Sequence, residues 1–313
     1  MTDPATPTPR PAAIPRWLAL ALLIFAAASW AGSSVAGRAA VGDVPPMTIA
    51  FLRWFIAMLL LLPLGARPLW AERRIFRHHW PIMCGFAFFG VVGFTVPYYV
   101  GLQFTEAVNV GILNAASPIL IILLSFAMLG VVIRPGQLVG IGFALIGTLV
   151  IISRGSLETL LGFTFNVGDM LALSAFLSWA IYTVMLRWRP PGMSSYSFLV
   201  AIFALASLMM LPLYVIELAL GRSFEHDFDN WFIIGYAAVF PSTLAYLAWN
   251  LAVPIVGPNL AAITQYINPV FAISLAALIL GESVEAFHLV GIAAILAGIY
   301  LSGSRRQRRM RET

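Results

Sequence analysis

The chain has 313 residues, 61% of them hydrophobic and 10% charged, with 18 basic side chains against 13 acidic ones and no lysine. Soluble domains are nearer half apolar, so this composition excludes an ordinary soluble enzyme and points to a bilayer. The single cysteine, Cys84, excludes an internal disulfide, and His78, His79, His226 and His288 lack metal-ligand spacing, so no metal and no cofactor is expected.

Residues 1–15 are rich in Pro, Thr and Ala and read as a disordered tail. Ten apolar runs follow, each near the roughly 20 residues that a spanning helix needs. The first, Trp17 to Gly37, sets Trp30, Ser33, Ser34 and Gly37 on one helical face. Arg10 and Arg16 before this run also fit a signal peptide, whose cleavage would remove an element that the repeat described below requires.

The second run, Pro46 to Gly65, contains Arg53, the one strong charge well inside a span. It lies about 10 Å from the start of its helix at about 1.5 Å per residue. A guanidinium there is costly unless paired or hydrated; it suits a carboxylate-bearing substrate, or it snorkels to headgroups. An Arg-rich loop, Arg67 to His79, leads to the third run, Trp80 to Gly101, which carries Tyr98 and Tyr99. The fourth, Ala107 to Gly130, places Asn114 and Ser117 one turn apart just before Pro118, and the fifth runs from Pro135 to Ser153.

The sixth run, Val167 to Arg187, puts Ser178 and Tyr182 on one face with Trp179 at its edge. Ser194 to Leu220 is the seventh; the eighth, Trp231 to Pro254, offers Thr243, Tyr246 and Asn250. The ninth, Asn259 to Leu280, has Gln265 and Asn268 before Pro269, and the tenth is Ala286 to Ser302. A proline removes a backbone donor and frees a carbonyl one turn earlier, so polar side chains at such a kink either line a cavity or tie neighbouring helices together. Every carboxylate falls in a loop or near a helix end.

An offset of 151 residues aligns QLVGIGFALIGTLVI at Gln137 with HLVGIAAILAGIYLS at His288, Trp80 with Trp231, Pro118 with Pro269 and Gly130 with Gly281. Each half then holds five helices, and an odd number inverts the second copy in the membrane, a pattern of transporters that bind near the midplane. The first repeat covers residues 16–154, an external linker 155–165, and the second repeat 166–303. With the N-terminus in the cytoplasm, the inner segments hold 14 arginines and the outer loops only Arg38, Arg154 and Arg222. Both termini are therefore expected to be cytoplasmic. The tail RRQRRMR within residues 304–313 then reads as a topology anchor near anionic lipid, not a nucleic-acid patch.

The stretches SWAGSSVAGR, FLRWF, ALSAFLSWAIYTVM and LGESVEAFHLVGIAAILAGIYL resemble the two EamA domains of the drug/metabolite transporter superfamily, nearest to YddG-type exporters of aromatic amino acids. The resemblance implies ten helices around a central cavity and efflux of amino acids or related metabolites across a bacterial-type inner membrane. The family's Gly-Glu after the fourth helix of each domain stands here as Gly281-Glu282, but as Gly130-Val131 in the first half.

The expected molecule is thus an all-α membrane protein of ten transmembrane helices in two inverted five-helix repeats, with the bilayer and a small-molecule substrate, an aromatic or other apolar amino acid, as its partners and no obligatory protein partner. Its expected substrate lining is Trp30, Ser33, Ser34, Arg53, Tyr98, Tyr99, Asn114, Ser117, Ser178, Trp179, Tyr182, Thr243, Tyr246, Asn250, Gln265 and Asn268. Pro118 and Pro269 are the expected hinges. Sugar, nucleotide-sugar and cationic-drug transport are the alternatives within the same superfamily. A channel lacks its charged or carbonyl rings, and an enzyme lacks clustered catalytic groups.

Overall fold

Without water, a backbone in hydrocarbon satisfies its polar groups only within a helix or a closed barrel, and every regular element among the described residues is helical. The computed structural model describes residues 14–39, 44–281 and 283–303, with side chains except at 33–39, 107, 280 and 303. The two terminal tails up to residue 13 and from residue 304, Glu282, and the side chains of Ser33 and Ser34 lie outside the described residues.

The principal helices are α1 Arg16–Ala39, α2 Pro46–Ala71, α3 Trp80–Gly101, α4 Val108–Leu129, α5 Pro135–Ile152, α6 Val167–Trp188, α7 Ser195–Ala219, α8 Phe228–Val256, α9 Pro258–Ile279 and α10 Ala286–Gly303. Eight of them, α2 to α9, are long and apolar enough to cross a membrane, and the apolar stretches Arg16–Gly32 and Ala286–Ser302 are shorter. Helix α2 runs six residues past the expected Gly65, through Pro63 and Pro68. Short helices at Arg73–His78 and Leu157–Leu161 occupy two of the connections.

Local structure repeats at the 151-residue offset. A π-helical turn interrupts α3 at Phe88–Val92 and α8 at Ala238–Leu244. Helix α4 is not the continuous run expected: it breaks at Ala116, and α9 tightens into a 3-10 turn at Gln265–Ile267. Pro118 and Pro269 are the cause, since neither can donate to the carbonyl four residues back. Both second segments end on a left-handed glycine, Gly130 (φ 65°) and Gly281 (φ 68°), a conformation that costs a side chain dearly.

The packing follows the same exchange of halves. Helix α1 packs on the C-terminal part of α8, and α6 on the C-terminal part of α3; α2 pairs with α7 and α5 with α10. Helices α5 and α10 cross antiparallel on four glycines. A Cβ on Gly147 would lie 2.5 Å from the Gly291 carbonyl oxygen, one on Gly291 would lie 2.7 Å from that of Gly147, and Gly140 and Gly298 face each other in the same way. Close backbone approach through small residues is how helices associate where lipid removes the hydrophobic drive. At the α4–α9 crossing, the Tyr266 hydroxyl donates to the Ala115 carbonyl (3.2 Å), two positions 151 residues apart.

Helices α2 and α7 are also antiparallel and are tied at both ends. Glu217, in the last turn of α7, accepts from Met47 N (3.2 Å), Thr48 N (2.7 Å) and Thr48 Oγ1 (2.9 Å) at the start of α2. Glu72, just past α2, accepts from Ser194 N (3.0 Å) and Ser197 Oγ (2.6 Å) at the start of α7. Each carboxylate caps the positive end of the other helix. Asp169 holds the start of α6 in a similar way, accepting from Thr105 Oγ1, Asn109 Nδ2 (3.3 Å) and Asn166 N (2.9 Å). The carboxylates of Asp169 and Glu217 do lie near helix ends, yet both residues are buried.

Candidate functional site

Aromatic residues from α1, α2, α6 and α8 converge where these helices cross. Trp30 meets Trp179 and Trp249 at 5.3 Å between centroids and Tyr246 at 6.5 Å. Trp179 also lies 5.4 Å from both Tyr182 and Tyr246, and Trp54 lies 4.7 Å from Tyr246. Most pairs are edge-on or tilted, the arrangement that ring quadrupoles favour. The expected central cavity is, at this level, filled by aromatic side chains touching one another.

The polar handles of these rings are mostly engaged. Trp30 Nε1 donates to the Pro241 carbonyl (3.1 Å) and Trp54 Nε1 to Thr95 Oγ1 (2.9 Å). The Tyr246 hydroxyl donates to the Gly90 carbonyl, inside the π-helical turn of α3. The Tyr182 hydroxyl donates to Asn250 Oδ1 (2.9 Å), and Asn250 Nδ2 donates to the Tyr246 carbonyl (2.8 Å). Among the described residues the exceptions are Trp249, whose buried Nε1 has no partner, and Trp179, whose Nε1 makes no hydrogen bond.

Arg53 stands beside this cluster and is buried. Its Nε donates to Ser242 Oγ (2.8 Å) and its Nη1 to the Tyr99 hydroxyl (3.0 Å), while the guanidinium lies 5.1 Å from the Trp54 ring centroid. Ser242 in turn donates to the Ala237 carbonyl (2.7 Å), a bond that the π-helical turn of α8 makes available. Among the described residues the hydrogen-bond partners of Arg53 are hydroxyls, and Nη2 has none. A guanidinium with ring faces and neutral hydroxyls around it keeps its whole charge for an anion.

The remaining expected lining residues divide. Tyr98 stacks on Phe94 (5.4 Å) and meets Tyr99 at 5.8 Å, so α3 presents a contiguous aromatic strip next to Arg53. Ser178 and Thr243 are spent on backbone carbonyls, those of Phe89 (3.1 Å) and Ala238 (2.7 Å). Among the described residues Ser117 Oγ, Gln265 Nε2 and Asn268 Oδ1 find no partners where they are buried at the two helix breaks, whereas Asn114 is exposed. Trp54, Trp249 and Ser242 were not expected. Trp249 and Asn250 lie three and four residues beyond Tyr246 and so fall on its side of the helix, a signal the sequence does carry.

Equivalent positions in the two repeats differ in burial. Ala245, Trp249 and Asn250 in α8 are buried, while Phe94, Tyr98 and Tyr99, 151 residues earlier in α3, are half-buried. Ala262 and Ile263 in α9 are buried, and their counterparts Gly111 and Ile112 in α4 are half-buried. Packing is therefore tighter at the bundle end where α2 finishes and α7 begins than at the opposite end.

The model of the EamA-like transporter family matches residues 17–153 and again 166–304, that is, each half of the chain in turn. The chain belongs to this family. It is accordingly a multi-pass membrane transporter built of two EamA domains. The uncharacterized transporter YetK of Bacillus subtilis is 29% identical over 290 residues, covering 89% of this chain and 85% of its own length. An uncharacterized transporter of Archaeoglobus fulgidus is 25% identical, covering 92% and 96%. A solved crystal structure, 21% identical, superposes with a TM-score of 0.78 over 95% of this chain and 99% of its own; it shares the EamA fold.

Proposed function

We propose that the chain exports amino acids with large apolar or aromatic side chains, in the manner of YddG-type carriers, by alternating access across a bacterial inner membrane. The observation that carries this reading is Arg53, buried among rings and hydroxyls and with no partner on Nη2 among the described residues. It matches a substrate carboxylate, while Trp30, Trp179, Trp249 and Tyr246 match a flat or bulky side chain. The chain crosses the membrane ten times with both termini cytoplasmic, as the arginine distribution favours. Its repeats, 16–154 and 166–303, are inverted, which the antiparallel crossings of α5 with α10 and α2 with α7 support.

On this orientation the tightly packed end is cytoplasmic. The molecule is closed inward and open outward, with Pro118 and Pro269 as hinges, and the Tyr182–Asn250 hydrogen bond belongs to the inner closure. Uptake of a radiolabelled aromatic amino acid into proteoliposomes, saturable and with the product recovered unchanged, tests the function; failure of the whole amino-acid panel would overturn it. Tyr182→Phe removes the hydroxyl and is expected to raise the population open to the cytoplasm. A cysteine placed at Val253, buried in α8, in a Cys84→Ser background, should then react several-fold faster with a maleimide. An unchanged rate would remove Tyr182 from the closure.

A further inference from the structure

Away from the aromatic cluster, a groove lies between α2 and α7, lined by residues of both helices. Its floor is made of small residues, Ala66 of α2 and Ala201 and Ala204 of α7, and its walls of Leu62 and Leu208. It ends at Trp70 and Arg73, where the Arg73 guanidinium lies 5.0 Å from the Trp70 ring centroid and Nη1 donates to the Trp70 carbonyl (2.9 Å). From Leu62 to Arg73 the rise is about 16 Å at about 1.5 Å per residue, close to half of the roughly 30 Å hydrocarbon core.

We infer that this groove is a binding site for one anionic phospholipid of the cytoplasmic leaflet. Its length fits the acyl chains of a single leaflet, and its apolar lining has little to offer a polar ligand. The short helix at its end carries three arginines, Arg73, Arg74 and Arg77; Arg73 lines the groove, and its guanidinium has four N–H donors beyond the one it spends on Trp70. A phosphate seated there meets charge of opposite sign at headgroup depth, with Trp70 at the interface. The inference rests on the cytoplasmic orientation proposed above but not on the identity of the substrate.

The purified full chain in neutral detergent is titrated with phosphatidylglycerol or phosphatidylcholine while its melting temperature is followed. Phosphatidylglycerol should raise the midpoint by several degrees more than phosphatidylcholine, because a ligand of the folded state stabilises by mass action. Arg73→Gln should abolish the difference, and so should Ala66→Phe, which fills the floor from an exposed position and needs no repacking. Glycerol phosphate, the headgroup without chains, should not shift the midpoint. Native mass spectrometry provides a second readout: one phosphatidylglycerol retained on the native chain and lost from both variants. Equal effects of the two lipids, retention by either variant, or an equal shift with glycerol phosphate would overturn the inference.

Discussion

Replacing Arg53 by glutamine is expected to reduce transport of a carboxylate-bearing amino acid by about ten- to a hundredfold, since a hydrogen bond to a charged group contributes roughly 1.5–3 kcal/mol. Glutamine keeps a donor near Ser242 and Tyr99 and removes the charge. The same substitution should leave transport of the corresponding decarboxylated amine almost unchanged, since that substrate has no anion to offer. Competition assays with the acid and the amine on both proteins separate the two roles. An equal fall for both substrates, with a lowered melting temperature, would make Arg53 a brace between α2, α3 and α8.

The second large effect is expected at the α5–α10 crossing. Gly147→Leu places a side chain where the Gly291 carbonyl oxygen already lies 2.5 Å from an ideal Cβ, and backbone cannot rotate away as a side-chain tip can. Overpacking typically costs about 1–3 kcal/mol, and more where backbone must move. Folded protein recovered after detergent extraction should fall steeply. Gly142, in the same helix, has open space around its Cβ position, so Gly142→Ala should be stabilising by about 0.5–1 kcal/mol through helix propensity alone. Gel-filtration yield and melting temperature compare the two, and equal behaviour would show that the glycine contact is not what holds these helices.

Much of the architecture can be read from residues alone because hydrophobic thickness and proline chemistry act locally. The starts of α2, α3 and α5 fall at Pro46, Trp80 and Pro135 as expected, and the offset of 151 foretells paired breaks at the two prolines. The π-helical turns at Phe88–Val92 and Ala238–Leu244 are not legible, because a shift in hydrogen-bond register leaves no mark on composition. Asn114 and its repeat partner Gln265 were expected to line the site alike. They differ because sequence symmetry describes the average of two states, whereas a structure adopts one. The burial of Glu217 and Asp169 was missed for another reason: a carboxylate near a helix end looks solvated until a neighbouring helix arrives with its own unpaired amides.

Those neighbouring amides bear on how the molecule moves. Glu72 and Glu217 grip the starts of each other's helices from opposite faces of the membrane, through bonds of 2.6–3.2 Å. A slide of α2 along α7 by a single residue, about 1.5 Å, stretches all of these bonds at once. Such a pair behaves as a riveted beam: it tilts whole or not at all, and a load applied to one end is felt at the other. The play that a carrier needs must then lie in the joints around the beam.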